Sequence, residues 1–414
     1  MKVLWFANTP SLAEEKLSKI PVGGGWIKSL EKEIKKNVDI ELGIAFYFRK
    51  KIQPFVYNNT RYFPIYNKNN TKIKRLFNRI FNFTDIEEEI REYLRIIENF
   101  KPEIIHIHGT ELPFGLIQEV INIPVVVSIQ GNLNVYSYKF FSGISKRDVK
   151  RYSKIMNRIF FTTPYNSYKK FEAKALIERK ILSNTKNIIG RTNWDYRITR
   201  ILAKNSTYYH NDEILRDGFY TNKWNYKLNL NDTVKIYTTN GPSLYKGIET
   251  ILYTANLLDE YGLDYEWNIA GLLENDNLVR IAEKSIGLKI SKNIKFLGMI
   301  EEKRLIRVLL DSHFYIMPSH IENSPNNLCE AMILGMPCIA TNAGGTGSLL
   351  LDRHNGILVQ DGDPYVLSGA IIEMIENFSL AQEYGKKARQ EALQRHDRHK
   401  IAKELLQIYN SCLV

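Results

Sequence analysis

The stretch His320–Pro337 reads HIENSPNNLCEAMILGMP and holds two glutamates, Glu322 and Glu330, eight positions apart with a proline between them. One helix cannot carry both. Pro325 has no amide donor and disfavours helical backbone at Ser324. Ser324 is a good N-cap, Pro325 a good first helical residue, and Gly335 with Pro337 a stop. The spacing predicts Glu322 on a loop and Glu330 inside a helix of about three turns. The amides of Asn326 and Asn327 at the helix start favour an anion. The competing reading is an ordinary capped helix with an exposed glutamate.

Outward from this stretch, short β-branched runs alternate with longer helical segments, as in parallel α/β architecture. Val234 to Thr238 reads as a strand, TNGPSLYKG as a glycine-containing loop and IETILYTANLLDEYG as a helix. EWNIAG, NIKFLG, HFYIMPS and PCIAT read as later strands. The N-terminal half opens alike: a strand from Val3 to Ala7, a loop ending in Gly23, Gly24 and Gly25, then the helix WIKSLEKEIKK. Further strands are expected at Ile104 to Ile107, Val125 to Ile129 and Ile188 to Gly190. Asp217 to Asn231 reads as a linker. This predicts two doubly wound, Rossmann-like domains facing one another, with ligand in the cleft at the strand C-termini. The expected division is 1–215, 216–390 and a closing helix, 391–414, returning to the first domain.

The totals narrow the class. The chain has 414 residues, 44% hydrophobic and 25% charged, which suits two or three globular domains. Cys329, Cys338 and Cys412 have no ligand spacing, which argues against structural zinc and suits a reducing, cytoplasmic location. No run is long and apolar enough for a spanning helix. The formal charge is +12, and an equal excess lies between Tyr136 and Arg200, with sixteen Lys or Arg against four Asp or Glu. There the cations alternate with Tyr and Phe. That pattern suits peripheral contact with an anionic membrane at its inner face, against the alternative of a solvated basic face. No RNA-binding signature or basic recognition helix accompanies the charge, so no nucleic acid is expected.

The C-terminal half resembles retaining glycosyltransferases of family 4, which have the GT-B fold. The likeness runs through YKGIETIL, WNIAGL, NIKFLGMI, YIMPSHIENSPNNLCEAMILGMPCIAT and AGG, and more loosely through GGGW and KPEIIHIHG in the N-terminal half. The resemblance implies that Glu330 holds the ribose hydroxyls of a nucleoside diphosphate sugar and that Glu322 lies near the transferred sugar. It implies that Lys246 binds the diphosphate with amides near Ser324, Asn326 and Asn327. Gly23, Gly24 and Gly25 would approach the phosphates, the main chain at Gly298 and Met299 would line the base pocket, and His108 would sit at the cleft. Glu322, Lys246 and His108 are thus the candidate catalytic residues.

Two departures stand out. The family's arginine five residues before the lysine is Gly241 here, leaving only the neutral Asn240 or Ser243 beside the diphosphate. A frequent histidine is Gln130, which cannot act as a base near neutrality. Arg191 either contacts the diphosphate in place of the missing arginine or pairs with Asp195. His106 and His108 alternate on a strand end and point the same way, with His106 expected to be packed or capped. Asp361 and Asp363 in DGD read as a capped turn, not a metal pair.

The implied chemistry is transfer with retention from a sugar nucleotide, UDP being the commonest carrier, to a glycan or lipid-diphosphate-linked glycan in bacterial surface polysaccharide synthesis. A fixed cation and aimed amides suffice for phosphate departure, so neither metal nor cofactor is expected. The alternatives are a GT-B sugar-nucleotide epimerase, which needs no acceptor, and a non-catalytic carbohydrate-binding protein.

Overall fold

The computed structural model describes residues 1–17, 25–37, 40–66, 86–229 and 232–413. The chain forms two compact units. Unit 1 comprises 1–137, 170–214 and 396–414; unit 2 comprises 138–169 and 215–395.

Unit 1 is built on an eight-stranded sheet. Its strands are β1 (Lys2–Ala7), β2 (Glu41–Phe48), β3 (Phe55–Tyr57), β4 (Thr60–Tyr66), β5 (Ile104–His108), β6 (Val125–Ser128), β7 (Asn187–Gly190) and β8 (Thr207–His210). Their order is β3-β4-β2-β1-β5-β6-β7-β8, and every pairing is parallel except β3 with β4. Alternation along β1 assigns its two faces. Val3, Trp5 and Ala7 join one core with the helices Gly25–Asn37 and Arg398–Leu413. Leu4 and Phe6 join the other with the helix Ile86–Phe100.

Unit 2 carries β9 (Val234–Thr239), β10 (Tyr265–Ala270), β11 (Ile294–Gly298), β12 (Phe314–Met317), β13 (Cys338–Thr341) and β14 (Ile357–Val359). They form a parallel sheet in the order β11-β10-β9-β12-β13-β14. In chain order this is 3-2-1-4-5-6, the doubly wound arrangement whose switch point lies between the first and fourth strands. The helix Ile248–Tyr261 ends at Gly262 and the helix Asn277–Ile286 at Gly287, both glycines with left-handed backbone. Asp363 caps the helix Pro364–Glu376 by accepting from the Val366 amide.

The strands expected from the sequence fall on β1, β5, β6, β7 and β9 to β13, while β2, β3, β4, β8 and β14 lie beyond that set. The expected linker, Asp217 to Asn231, contains the short helix Asp217–Thr221, and Phe219 and Trp224 are buried in the unit 2 core. The Trp224 indole N–H donates to the Ser312 carbonyl at 2.8 Å, so this stretch is structural. The first domain was expected to be continuous, but 138–169 belongs to unit 2. Its helix Lys146–Tyr152 packs on the helix Asn277–Ile286, and Phe140, Ile144 and Val149 are buried. The closing helix Arg398–Leu413 belongs to unit 1 and begins only after a break at His396 and Asp397.

Candidate functional site

The loops after β9 and β12 leave neighbouring strands at the switch point of unit 2. Lys246 ends a short turn after β9, and Glu322 lies in the loop after β12. Their side chains meet, Lys246 Nζ lying 2.5 Å from Glu322 Oε1, and Ser319 Oγ donates to the same oxygen at 2.8 Å. Burial works against the Lys246 ammonium, but Glu322 outweighs it and raises its pKa above the ordinary lysine value. Glycine makes this approach possible. At Gly247, φ is +73°, and a Cβ there would lie 2.0 Å from the Pro318 carbonyl oxygen. The two loops are also joined through the backbone, where the His320 amide donates to the Tyr245 carbonyl at 2.8 Å. On the other side, the Gly345 amide donates to the Glu322 carbonyl at 2.9 Å.

The helix after this loop is Asn326–Leu334, one residue later than expected. Pro325 is its N-cap, no side chain caps it, and Gly335 ends it in the left-handed region. Ser324 is therefore not the cap; it is buried before the helix start. Asn326 and Asn327 occupy the first two helical positions, whose amides have no acceptor inside a helix. The Asn327 side chain donates to the Thr239 carbonyl at 3.3 Å, tying the helix start to the end of β9. Asn326 Oδ1 has no hydrogen-bond partner among the described residues. Asn240 braces its own loop: its side-chain Nδ2 donates to the Lys246 carbonyl at 3.1 Å and its Oδ1 accepts from the Gly241 backbone amide at 2.8 Å. Nothing lies within 4 Å of where a Cβ on Gly241 would sit, so the position of the missing arginine is open. Gly298 has φ +63° at the end of β11 and is followed by Met299, which is 90% exposed.

Glu330 faces inward from its helix and accepts two parallel bonds from Arg216, Nε to Oε1 at 2.7 Å and Nη2 to Oε2 at 2.7 Å. Burial raises the Glu330 pKa, and Arg216 opposes that shift. Arg216 is a residue the sequence reading missed, because it stands at the edge of the apparent linker. His320 was missed as well. Its Nε2 lies 2.5 Å from Glu249 Oε1 and its Nδ1 3.3 Å from Asp361 Oδ2, while Lys139 Nζ reaches Asp361 at 3.2 Å. Asp363 caps a helix as the turn reading expected, but Asp361 serves this buried network. Among the described residues, no three His, Cys, Asp or Glu side chains are grouped to hold a metal.

Unit 1 gathers a second set. Gly25 opens the helix Gly25–Asn37; Gly23 and Gly24 lie outside the described residues. The His108 ring is fully buried, 3.8 Å from the His106 ring and against Trp5 and Trp26. Neither of its ring nitrogens has a hydrogen-bond partner among the described residues. Burial, with the charge of Arg191, holds the His106 pKa down to about 3 and that of His108 well below its usual value, so both rings are neutral. His106 bonds Tyr409 at 2.7 Å and Ser128 at 2.6 Å. Arg191 meets Asp195 through its backbone amide, which donates there at 2.9 Å. Its guanidinium instead lies 3.0 Å from Glu213 and stacks 4.8 Å over Trp26.

Two parallel-sheet α/β units, the second with a lysine–glutamate pair at its switch point, define a protein of the GT-B fold. Residues 222–391 match the model of the family described as glycosyl transferases group 1. Sucrose-phosphate synthase from Thermosynechococcus elongatus superposes with a TM-score of 0.74 at 15% identity, over 99% of this chain and 98% of that one. Anabaena HepE in complex with UDP-glucose superposes with a TM-score of 0.66 at 14% identity, over 99% and 100%. By sequence, 2-deoxystreptamine N-acetyl-D-glucosaminyltransferase of Niallia circulans is 25% identical over 167 residues, 40% of this chain and 42% of that protein. The matched stretches span less than half the length of the curated relatives.

Proposed function

We propose that the protein is a retaining, metal-independent glycosyltransferase. It takes a sugar from a nucleoside diphosphate sugar, with uridine diphosphate as carrier, and passes it to a lipid-linked glycan of a bacterial surface polysaccharide. The observation that carries this reading is the meeting of Lys246 and Glu322 beside the Asn326–Leu334 helix start at the switch point of unit 2. There a fixed cation and amides converge where a diphosphate would leave, and charge developing on a leaving phosphate is what such a site stabilises. In the absence of ligand, Glu322 holds the Lys246 ammonium in place; the diphosphate takes over as its counter-ion. Glu330, oriented by Arg216, accepts the ribose hydroxyls.

The UDP-glucose bound to HepE and the N-acetylglucosaminyl transfer named for the Niallia protein support a UDP-linked donor. Retention follows from front-face displacement, in which the departing phosphate takes the acceptor's proton. Action at the cytoplasmic leaflet suits the exposed basic segment 138–169. Among the described residues no helix is long and apolar enough to cross a membrane, so that contact is peripheral in this reading.

Titration calorimetry with UDP, GDP and ADP tests the donor site. Lack of binding by all three ends the proposal, and an absolute need for added magnesium or manganese ends its metal-free form.

A further inference from the structure

Segment 138–169 has two faces. Phe140, Ile144, Val149 and Tyr168 point inward and are buried. The Lys154 amide donates to Asn277 Oδ1 at 2.8 Å and Ser285 Oγ to Asp148 Oδ2 at 3.4 Å, which fixes the segment on unit 2. The other face exposes a run of apolar residues. Ile155 is 72% exposed, Met156 59%, Ile159 58%, Phe160 48% and Phe161 39%, all within seven consecutive residues. Scattered single apolar residues on a surface need no explanation, but a contiguous group does.

The group is held in place by a strained turn. Phe161 has φ +52°, a left-handed backbone that non-glycine residues rarely adopt. Three bonds enforce it: the Phe161 amide to the Arg158 carbonyl at 3.2 Å, the Thr162 amide to the Asn157 carbonyl at 2.8 Å, and Asn157 Nδ2 to Thr162 Oγ1 at 3.0 Å. Such strain persists only where surrounding contacts over-determine it, and it concentrates at functional places.

Cations flank the apolar group. Lys146, Arg147, Lys150, Arg151 and Arg158 are exposed, and the whole segment carries eight Lys or Arg against one acid, Asp148. That acid is already engaged by Ser145 and Ser285. Lys146 lies 4.6 Å over the Tyr168 ring and Lys150 4.2 Å over the Tyr165 ring, so aromatic rings of the same segment hold these charges.

We infer that Ile155, Met156, Ile159, Phe160 and Phe161 form an insertion tip that docks unit 2 on an anionic lipid bilayer, with the surrounding lysines and arginines against the headgroups. Charge complementarity selects an anionic partner. Five apolar side chains fall far short of the roughly twenty residues a side of a stable protein interface, but they suit shallow burial at a bilayer boundary. The inference rests on the glycosyltransferase reading only for its purpose, which is to bring a membrane-borne acceptor to the enzyme. The surface itself stands on exposure and charge.

Flotation of the full chain with phosphatidylglycerol-containing or pure phosphatidylcholine vesicles, at low and high salt, tests it. Wild type is expected to float with the anionic vesicles at low salt. The triple variant Ile155→Ser/Ile159→Ser/Phe160→Ser should partition about tenfold less or weaker still, with its melting temperature and UDP binding unchanged. Arg151→Glu/Arg158→Glu should lose the salt-sensitive part. The inference is overturned by no flotation of wild type, by equal flotation of the triple variant, or by a soluble polyanion binding as tightly as the vesicles. Light scattering that shows a dimer lost in the triple variant would assign the tip to a second copy of the chain instead. UDP binding, measured in parallel, separates failure of this tip from failure of the transferase reading.

Discussion

Glu330 and Arg216 form a parallel two-bond pair inside unit 2, and their energetics set what substitution does. Glu330→Gln removes the charge that would accept two ribose hydroxyls. Losing a hydrogen bond to a charged group costs about 1.5–3 kcal/mol, so UDP affinity should fall roughly ten- to hundredfold. Glu322→Gln should cost less binding, since that carboxylate faces Lys246 and, in the proposed function, the transferred sugar and not the ribose. Calorimetry with UDP ranks the two, and equal affinity in Glu330→Gln and wild type removes the ribose role. His320 carries a pH dependence. Burial opposes its charge, but Glu249 and Asp361 outweigh burial and raise its pKa above the ordinary histidine value. A raised folded pKa gives stability that is fully present below the unfolded value of about 6.5 and fades as pH rises through the folded value. Wild type should therefore lose stability relative to His320→Gln as pH climbs from about 6 into the alkaline range. Urea unfolding at several pH values checks this, and parallel curves refute it. Lys246 and Glu322 were legible in the sequence because a lysine after a strand and glycine loop, and a glutamate ahead of a proline, carry local signals. Arg216, His320 and the Arg191–Glu213 pairing were not, because nothing in the local sequence pattern names their partners, which come from other elements.

At the scale of elements, left-handed glycines decide which loops can approach one another. Gly247 and Gly262 both end up with positive φ, +73° and +82°, yet their surroundings differ. A Cβ at Gly247 would strike the Pro318 carbonyl, whereas nothing lies within 4 Å at Gly262. Gly262→Ala should cost only the left-handed backbone term, about 1–2 kcal/mol. Gly247→Ala adds a backbone collision and should cost more, pushing the Lys246 loop away from Glu322 and weakening UDP binding as well. Chemical denaturation and calorimetry on both variants make the comparison, and equal costs would show that the close approach contributes nothing. The pattern of β-branched runs made β1, β5, β6, β7 and β9 to β13 readable, since strands buried on both faces are nearly continuous in apolar residues, whereas the inner strands β2 and β4 were not read. The helix after Pro325 was placed within one residue, but its cap was not. Ser324 has the right chemistry for a cap, yet the backbone turns helical only after Pro325. Segment 138–169 read as part of the first domain because only tertiary packing, through Ile144 and Val149, assigns it to unit 2.

At the scale of the whole molecule, the chain passes between its two units four times, and the last passage delivers the helix Arg398–Leu413 to unit 1. Ile401, Leu405, Ile408 and Tyr409 cover the face of the sheet that bears Val3 and Trp5. Tyr409 also supplies a partner to two buried groups, accepting from the Trp5 indole at 3.0 Å and bonding His106 at 2.7 Å. Tyr409→Phe keeps the ring but leaves both groups unpaired in a dry core. An unsatisfied buried polar group costs about 1–3 kcal/mol, so this single oxygen should account for at least about 2 kcal/mol of stability. Ending the chain at Arg395 removes the oxygen and the apolar cover together, and unit 1 should then fail to fold cooperatively. The contacts of Lys246, Glu322 and Glu330 are all within unit 2 and do not involve that helix. Hydrogen exchange on the shortened chain should therefore show protection lost in β1 and β5 but retained in β9 and β12. Equal loss in both sheets would mean that the two units fold as one, and the separation described by their cores would have no thermodynamic counterpart.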